Sequence, residues 1–140
     1  MKKGVNNKKG FSLVEIMLAV SIFALSVMGL SGGLFYGQMA GITASHRNQA
    51  VFYANEGLDA TRNIAFDSFG NLVNGSFGLV ILDNSYDFAG SSEFLDIFER
   101  QIIISDIDAN TKKVTSKVSW QGGVMDEGEV ILITYITNWK

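Results

Sequence analysis

Glu15 is the residue in this sequence with the strongest claim on chemistry. It stands at the head of an apolar run, and from Ile16 to Ser45 no side chain is charged over 30 residues. A carboxylate in a membrane helix costs about 2.5–3.5 kcal/mol at the helix centre and less toward the interface, so ionisable residues there have partners. Just ahead of Glu15 lies the step Gly10-Phe11, and ahead of that the lysines Lys2, Lys3, Lys8 and Lys9.

The other candidates are thinner. His46 is the single histidine, just past the apolar run, and no Cys-His or Ser-His-Asp set accompanies it. It is expected to be a surface or interface residue. Asp106, Asp108 and Asn110 open like a calcium loop, but Thr111 stands where glycine is needed and Lys117 where glutamate is needed. An inter-strand turn with Asx hydrogen bonds is the expectation there. Lys112, Lys113 and Lys117 read as a solvated hairpin face. No Gly-rich phosphate loop and no catalytic carboxylate pair is present, so the sequence predicts no enzyme, no cofactor and no metal site. With zero cysteines, disulfides and thiol chemistry are excluded. From His46 onward 7 basic side chains face 13 acidic ones, a balance that argues against general nucleic-acid binding.

A helix of about 20 apolar residues crosses a bilayer, so the run is long enough to span, with its lysine end cytoplasmic by the positive-inside rule. A secretory signal peptide has an apolar region of only about 7–15 residues with its small-residue cleavage site after it. Here the run is longer and Gly10 precedes it. A plain signal anchor explains the length and the lysines but leaves Glu15 unexplained. The helix is expected to run from Phe11 to about Phe66, longer than a bilayer needs, so its second half must pack on something else. Gly29, Gly33, Gly37 and Gly41 recur every four residues and share a face. Each costs about 1 kcal/mol against alanine within a helix. The series fits either generic small-residue packing or close helix–helix approach of the GxxxG kind, with softness at Gly32-Gly33. Farther on, Val51, Ala54, Leu58, Thr61 and Ala65 form a helical stripe. Phe52, Tyr53 and Ile64 widen it, and Gly57 beside it leaves room for a strand to come close.

Beyond the helix, Asp67 to Glu93 is rich in turn signals (Gly70, Asn74-Gly75, Gly78, Asp83-Asn84, Gly90-Ser91-Ser92), with one short strand expected at Phe77–Leu82. Three more strands are expected at Phe98–Ser105, Val114–Gln121 and Val130–Thr137. The last is apolar on both faces and is expected to be the most buried. The turn before it should have Asp126-Glu127-Gly128 at its tip, and Trp120, Tyr135 and Trp139 should fill the core. The fold class is therefore α+β: a long N-terminal helix, membrane-spanning in its first half and amphipathic in its second, packed on an antiparallel sheet of three to four strands.

The residues Lys8-Lys9-Gly10-Phe11-Ser12-Leu13-Val14-Glu15 resemble the N-terminal signature of type IV pilins and of type II secretion pseudopilins. The segment Ala54–Asn63 is loosely similar to the end of the long helix in minor members. The resemblance implies a leader over residues 1–10, cut between Gly10 and Phe11 by a prepilin peptidase that then methylates the Phe11 amine. It implies a membrane and filament-core helix over 11–37 and an exported domain over 38–140, with the outer helix to about 66, a loop over 67–97 and the sheet over 98–140. It makes Glu15 the fifth residue of the mature chain, meeting the amine of the next subunit. The implied partners are the peptidase, other pilin or pseudopilin subunits, an inner-membrane assembly platform and membrane lipid. The implied location is the cytoplasmic membrane with the N-terminus inside, then a periplasmic or cell-surface filament. The chain departs from many pilins in lacking a C-terminal disulfide and a helix-kinking proline. The alternative expectation is an uncleaved, membrane-anchored binding module.

Overall fold

The computed structural model describes residues 10–83, 85–123 and 126–138. The elements are a helix α1 (Leu13–Asp67), a 3-10 turn (Phe69–Asn71), and strands β1 (Gly75–Leu82), β2 (Ser85–Ala89), β3 (Glu93–Leu95), β4 (Phe98–Asp108), β5 (Thr111–Gln121) and β6 (Glu127–Thr137). The chain divides into two compact units, Met1–Ala40 and Gly41–Lys140.

In the first unit α1 is unbroken through Gly32-Gly33. It begins at Leu13 rather than Phe11, a difference within the ordinary play of helix ends. Every residue from Gly10 to Ala40 is exposed, although the segment is long and apolar enough to cross a membrane. Three of its serine hydroxyls are satisfied within the helix: Ser21, Ser26 and Ser31 donate to the carbonyls of Met17, Ile22 and Val27 at 2.8–2.9 Å. These polar groups therefore present little cost to an apolar environment.

In the second unit the rest of α1 packs on one face of an antiparallel sheet of order β2-β1-β4-β5-β6, with β3 pairing the start of β4. Six strands replace the three to four expected, because the segment expected to be mostly loop supplies three. Its turn residues punctuate hairpins. The end of β1 pairs with β2 from Gly78↔Ala89 to Leu82↔Ser85, and its start pairs with β4 from Gly75↔Ile104 to Phe77↔Ile102. The expectation that β6 is the most buried strand is also overturned. β6 ends the sheet, with Ile131, Ile133 and Tyr135 exposed and Val130 its one buried residue. The buried rows lie on β4 (Phe98, Arg100, Ile102, Ile104) and β5 (Val114, Ser116, Val118, Trp120).

Two apolar clusters join helix to sheet. One gathers Leu58, Ile64, Leu72, Leu79, Ile102, Ile104 and Val114; the other gathers Ala50, Ala54, Phe98, Val118, Trp120 and Val130. The helix stripe is shifted from the expected one. Ala50, Ala54, Gly57, Leu58, Ala60, Thr61 and Ile64 are buried, while Val51 and Phe52 are exposed. Small residues line the contact because they let the helix backbone approach the sheet. Trp120 fills the core as expected, but Tyr135 is 60% exposed, and Trp139 lies outside the described residues. The expected turn tip is displaced too: Glu127 and Gly128 already belong to β6, and Gly122 N–H donates to the Asp126 carbonyl at 2.7 Å.

Gly57 marks the closest approach. A Cβ there would lie 2.7 Å from Ile102 Cδ1 and 2.8 Å from Ser116 Oγ, a hydroxyl buried without a hydrogen-bond partner among the described residues. Gly57→Val should therefore destabilise the unit by about 1–3 kcal/mol through overpacking. Thermal unfolding of the full chain in detergent measures this; an unchanged midpoint would mean that the helix is not seated at Gly57.

Candidate functional site at the N-terminal helix

Gly10, Phe11 and Ser12 precede the helix in non-helical backbone, and Phe11 is 81% exposed. The Gly10-Phe11 peptide is thus outside the hydrogen bonding of α1. The four leader lysines lie outside the described residues. Glu15 occupies the first turn of α1, where the positive end of the helix dipole favours a carboxylate. The N–H groups of Glu15 and Ile16 both donate to the Ser12 carbonyl, at 3.0 and 3.2 Å. The spacing Ser12-x-x-Glu15 is that of a capping box, a signal legible in the sequence beside the membrane argument. Among the described residues no cation pairs with the Glu15 carboxylate.

A Cβ added at Gly29, Gly33, Gly37 or Gly41 would meet nothing within 4 Å. These glycines create no close approach within the chain, and the apolar surface around them is uncovered, with Leu25, Met28, Leu34 and Phe35 each about 70% exposed.

In the second unit a polar cluster went unnoticed in the sequence. Arg100 is 2% exposed. Its Nε and Nη2 donate to Glu93 Oε2 at 3.0 and 2.6 Å, and its Nη1 donates to Glu56 Oε2 at 2.8 Å and to the Tyr53 carbonyl at 3.1 Å. Tyr86 donates its hydroxyl to Glu56 Oε1 at 3.1 Å. That bond and the Glu56 charge push the Tyr86 hydroxyl above its ordinary range. The signal was available: Arg100 shares strand parity with Phe98, Ile102 and Ile104, so an inward cation required partners. Each of the three guanidinium nitrogens donates at least one hydrogen bond, and the cluster fastens β3 and β4 to the helix.

His46, expected at a surface or an interface, is half-buried. Its Nδ1 meets Asp126 Oδ2 at 2.5 Å, and Trp120 Nε1 donates to Asp126 Oδ1 at 3.3 Å. The imidazole also stands edge-on to Phe98. Asp126 thus ties the end of β5 and the start of β6 to the helix. Around Asp106 the expected Asx turn is present, with Asn110 N–H donating to Asp108 Oδ1 at 2.8 Å. Hydrogen bonds from Lys112, at 2.6 Å, and from Asn74 hold the Asp106 carboxyl below the usual carboxylate range. The lysine face is largely paired, since Lys117 also meets Glu129 at 2.9 Å. Among the described residues no group of three or more potential metal ligands forms.

Residues 5–31 match the family model described as the prokaryotic N-terminal methylation motif. No curated protein and no solved structure matches the chain. The match covers the Gly10-Phe11 step, Glu15 and the exposed apolar helix as far as Ser31. This chain carries the N-terminal methylation signature of type IV pilins and pseudopilins.

Proposed function

We propose that the protein is a minor structural subunit of a type IV pilus or type II secretion filament. A prepilin peptidase removes the leader between Gly10 and Phe11 and methylates the Phe11 amine. The processed chain waits in the cytoplasmic membrane with its N-terminus inside, and an assembly platform passes it into a filament. Glu15 meets the amine of a neighbouring subunit, and the glycine face lets neighbouring helices approach. The observation that carries this reading is the methylation motif at the head of a helix whose apolar surface is uncovered on every side from Leu13 to Ala40. So large an uncovered surface requires lipid, other helices, or each in turn. An uncleaved, anchored binding module would account for the lipid but not for the motif.

Gly33→Leu tests the assembly half. Leucine is more apolar, so insertion and processing should be unchanged, whereas a helix that approaches a neighbour at Gly33 should be held off. Crosslinking in cells that carry the filament machinery should show several-fold less Gly33→Leu than parent joined to other subunits. Equal crosslinking would make the glycines merely tolerated.

A further inference from the structure

β6 ends the sheet, and among the described residues nothing pairs with its outer edge. An edge strand presents a row of unpaired N–H and C=O groups, a template for another strand, and natural edges are blunted by shortness, bulges, proline or lysine. β6 has none of these. It is 11 residues long, holds no proline and no lysine, and keeps unbroken register with β5 from Gln121↔Glu127 to Thr111↔Thr137. The opposite edge, β2, has only 5 residues. The outward side chains of β6 are Ile131, Ile133 and Tyr135, which are 47%, 49% and 60% exposed. Its charge lies at one end: Glu127 and Glu129 open the strand, and Val130–Thr137 is uncharged.

We propose that β6 is a docking strand for an extended peptide segment of a partner protein, added antiparallel to the sheet. The edge backbone supplies the hydrogen bonds, and alternate side chains supply specificity. Antiparallel addition brings the C-terminal end of the segment beside Glu127 and Glu129, so that end carries lysine or arginine. Its middle carries β-branched or aromatic residues, which lie beside Ile131, Ile133 and Tyr135 and cover them. Its N-terminal end reaches the open groove, about 740 Å³, between the end of α1 and the end of β6, lined by Phe66, Phe69, Ile136 and Thr137.

A second copy is the poorer occupant. Antiparallel pairing of β6 with itself requires a two-fold axis normal to the sheet. That axis sets the Glu127 and Glu129 end of each copy beside the Val130–Thr137 end of the other, which carries no cation to complement it. The proposal is independent of processing at Gly10.

The test uses the full chain in detergent and a blocked synthetic peptide of about nine residues, alternating valine and threonine with lysines at its C-terminal end. Fluorescence anisotropy should show binding, and the isotope-labelled peptide carbonyls should take the infrared position of a sheet. Binding should fall at least tenfold with Ile133→Lys, with Glu127→Lys and Glu129→Lys together, and with a peptide bearing glutamates in place of lysines. Circular dichroism confirms that each variant is folded; should Ile133→Lys fail to fold, the charge exchanges decide alone. Absence of binding, equal binding by the folded variants, or a dimer in sedimentation that Ile133→Lys abolishes would overturn the assignment.

Discussion

Glu15→Leu should enter filaments about tenfold less than the parent while its cleaved form accumulates normally in the membrane. The carboxylate stands in the first turn of α1, with no cation beside it among the described residues. Left unpaired in the membrane it costs up to about 3 kcal/mol. The helix dipole already offsets part of this, so the relief available from a neighbour's amine is smaller. Relief of about half would still shift an assembly equilibrium by roughly tenfold. Leucine removes both the cost and its relief. Insertion should hold because leucine is more apolar, and cleavage should hold because Gly10-Phe11 is unchanged. The measurement compares cleaved protein in the membrane with cleaved protein in sheared filaments. Equal incorporation at equal cleavage would confine Glu15 to capping the helix or to recognition by the peptidase. Normal incorporation with loss of N-methylation would point to the peptidase.

Arg100→Met should cost the second unit about 3 kcal/mol of stability. Removing one partner of a buried pair costs about 3–5 kcal/mol because the other charge is stranded. Here the two carboxylates keep some contact with water, 32% for Glu56 and 24% for Glu93, so the cost falls at the lower end. For a unit of this size each 1 kcal/mol moves the unfolding midpoint by about 4–8 °C, so the shift should exceed ~10 °C. Combining Arg100→Met with Glu56→Gln and Glu93→Gln should recover part of the loss. A shift of under a few degrees would mean that the cluster contributes little. The same cluster gives a pH dependence. Tyr86 is held neutral by Glu56, so its contribution is present below the ordinary tyrosine value of about 10 and is lost as pH rises through its raised value. Asp106 acts oppositely. Its contribution is present above the ordinary carboxylate range and is lost as pH falls through its lowered value.

The helix, the expected strands and the N-terminal methylation motif were legible because each rests on a local pattern. Charge-free length marks the span, strict alternation marks Val114–Gln121, and Gly10, Phe11 and Glu15 stand at fixed spacing. What was missed depends on neighbours. Ser85–Ala89 alternates Tyr86 and Phe88 with polar or small residues, but its turn-rich flanks disguised a hairpin. Ile131, Ile133 and Tyr135 are as apolar as a core row, yet their position at the sheet edge leaves them exposed. Polarity likewise concealed Arg100 and His46, which are held by partners 44 and 80 residues away in sequence. The stripe shifted toward Ala50 and Gly57 because close packing selected small residues over the bulkier Val51 and Phe52.

The intact mass of the membrane-extracted protein, from cells that carry a prepilin peptidase, tests the central claim most directly. The account predicts a chain that begins at Phe11, lacks residues 1–10 and carries one added methyl group on its N-terminal amine. It also predicts that Gly10→Val, which sets a branched side chain at the cut, retains the leader. A parent chain of the full 140 residues in those cells would contradict the account and leave the uncleaved anchor as the correct reading.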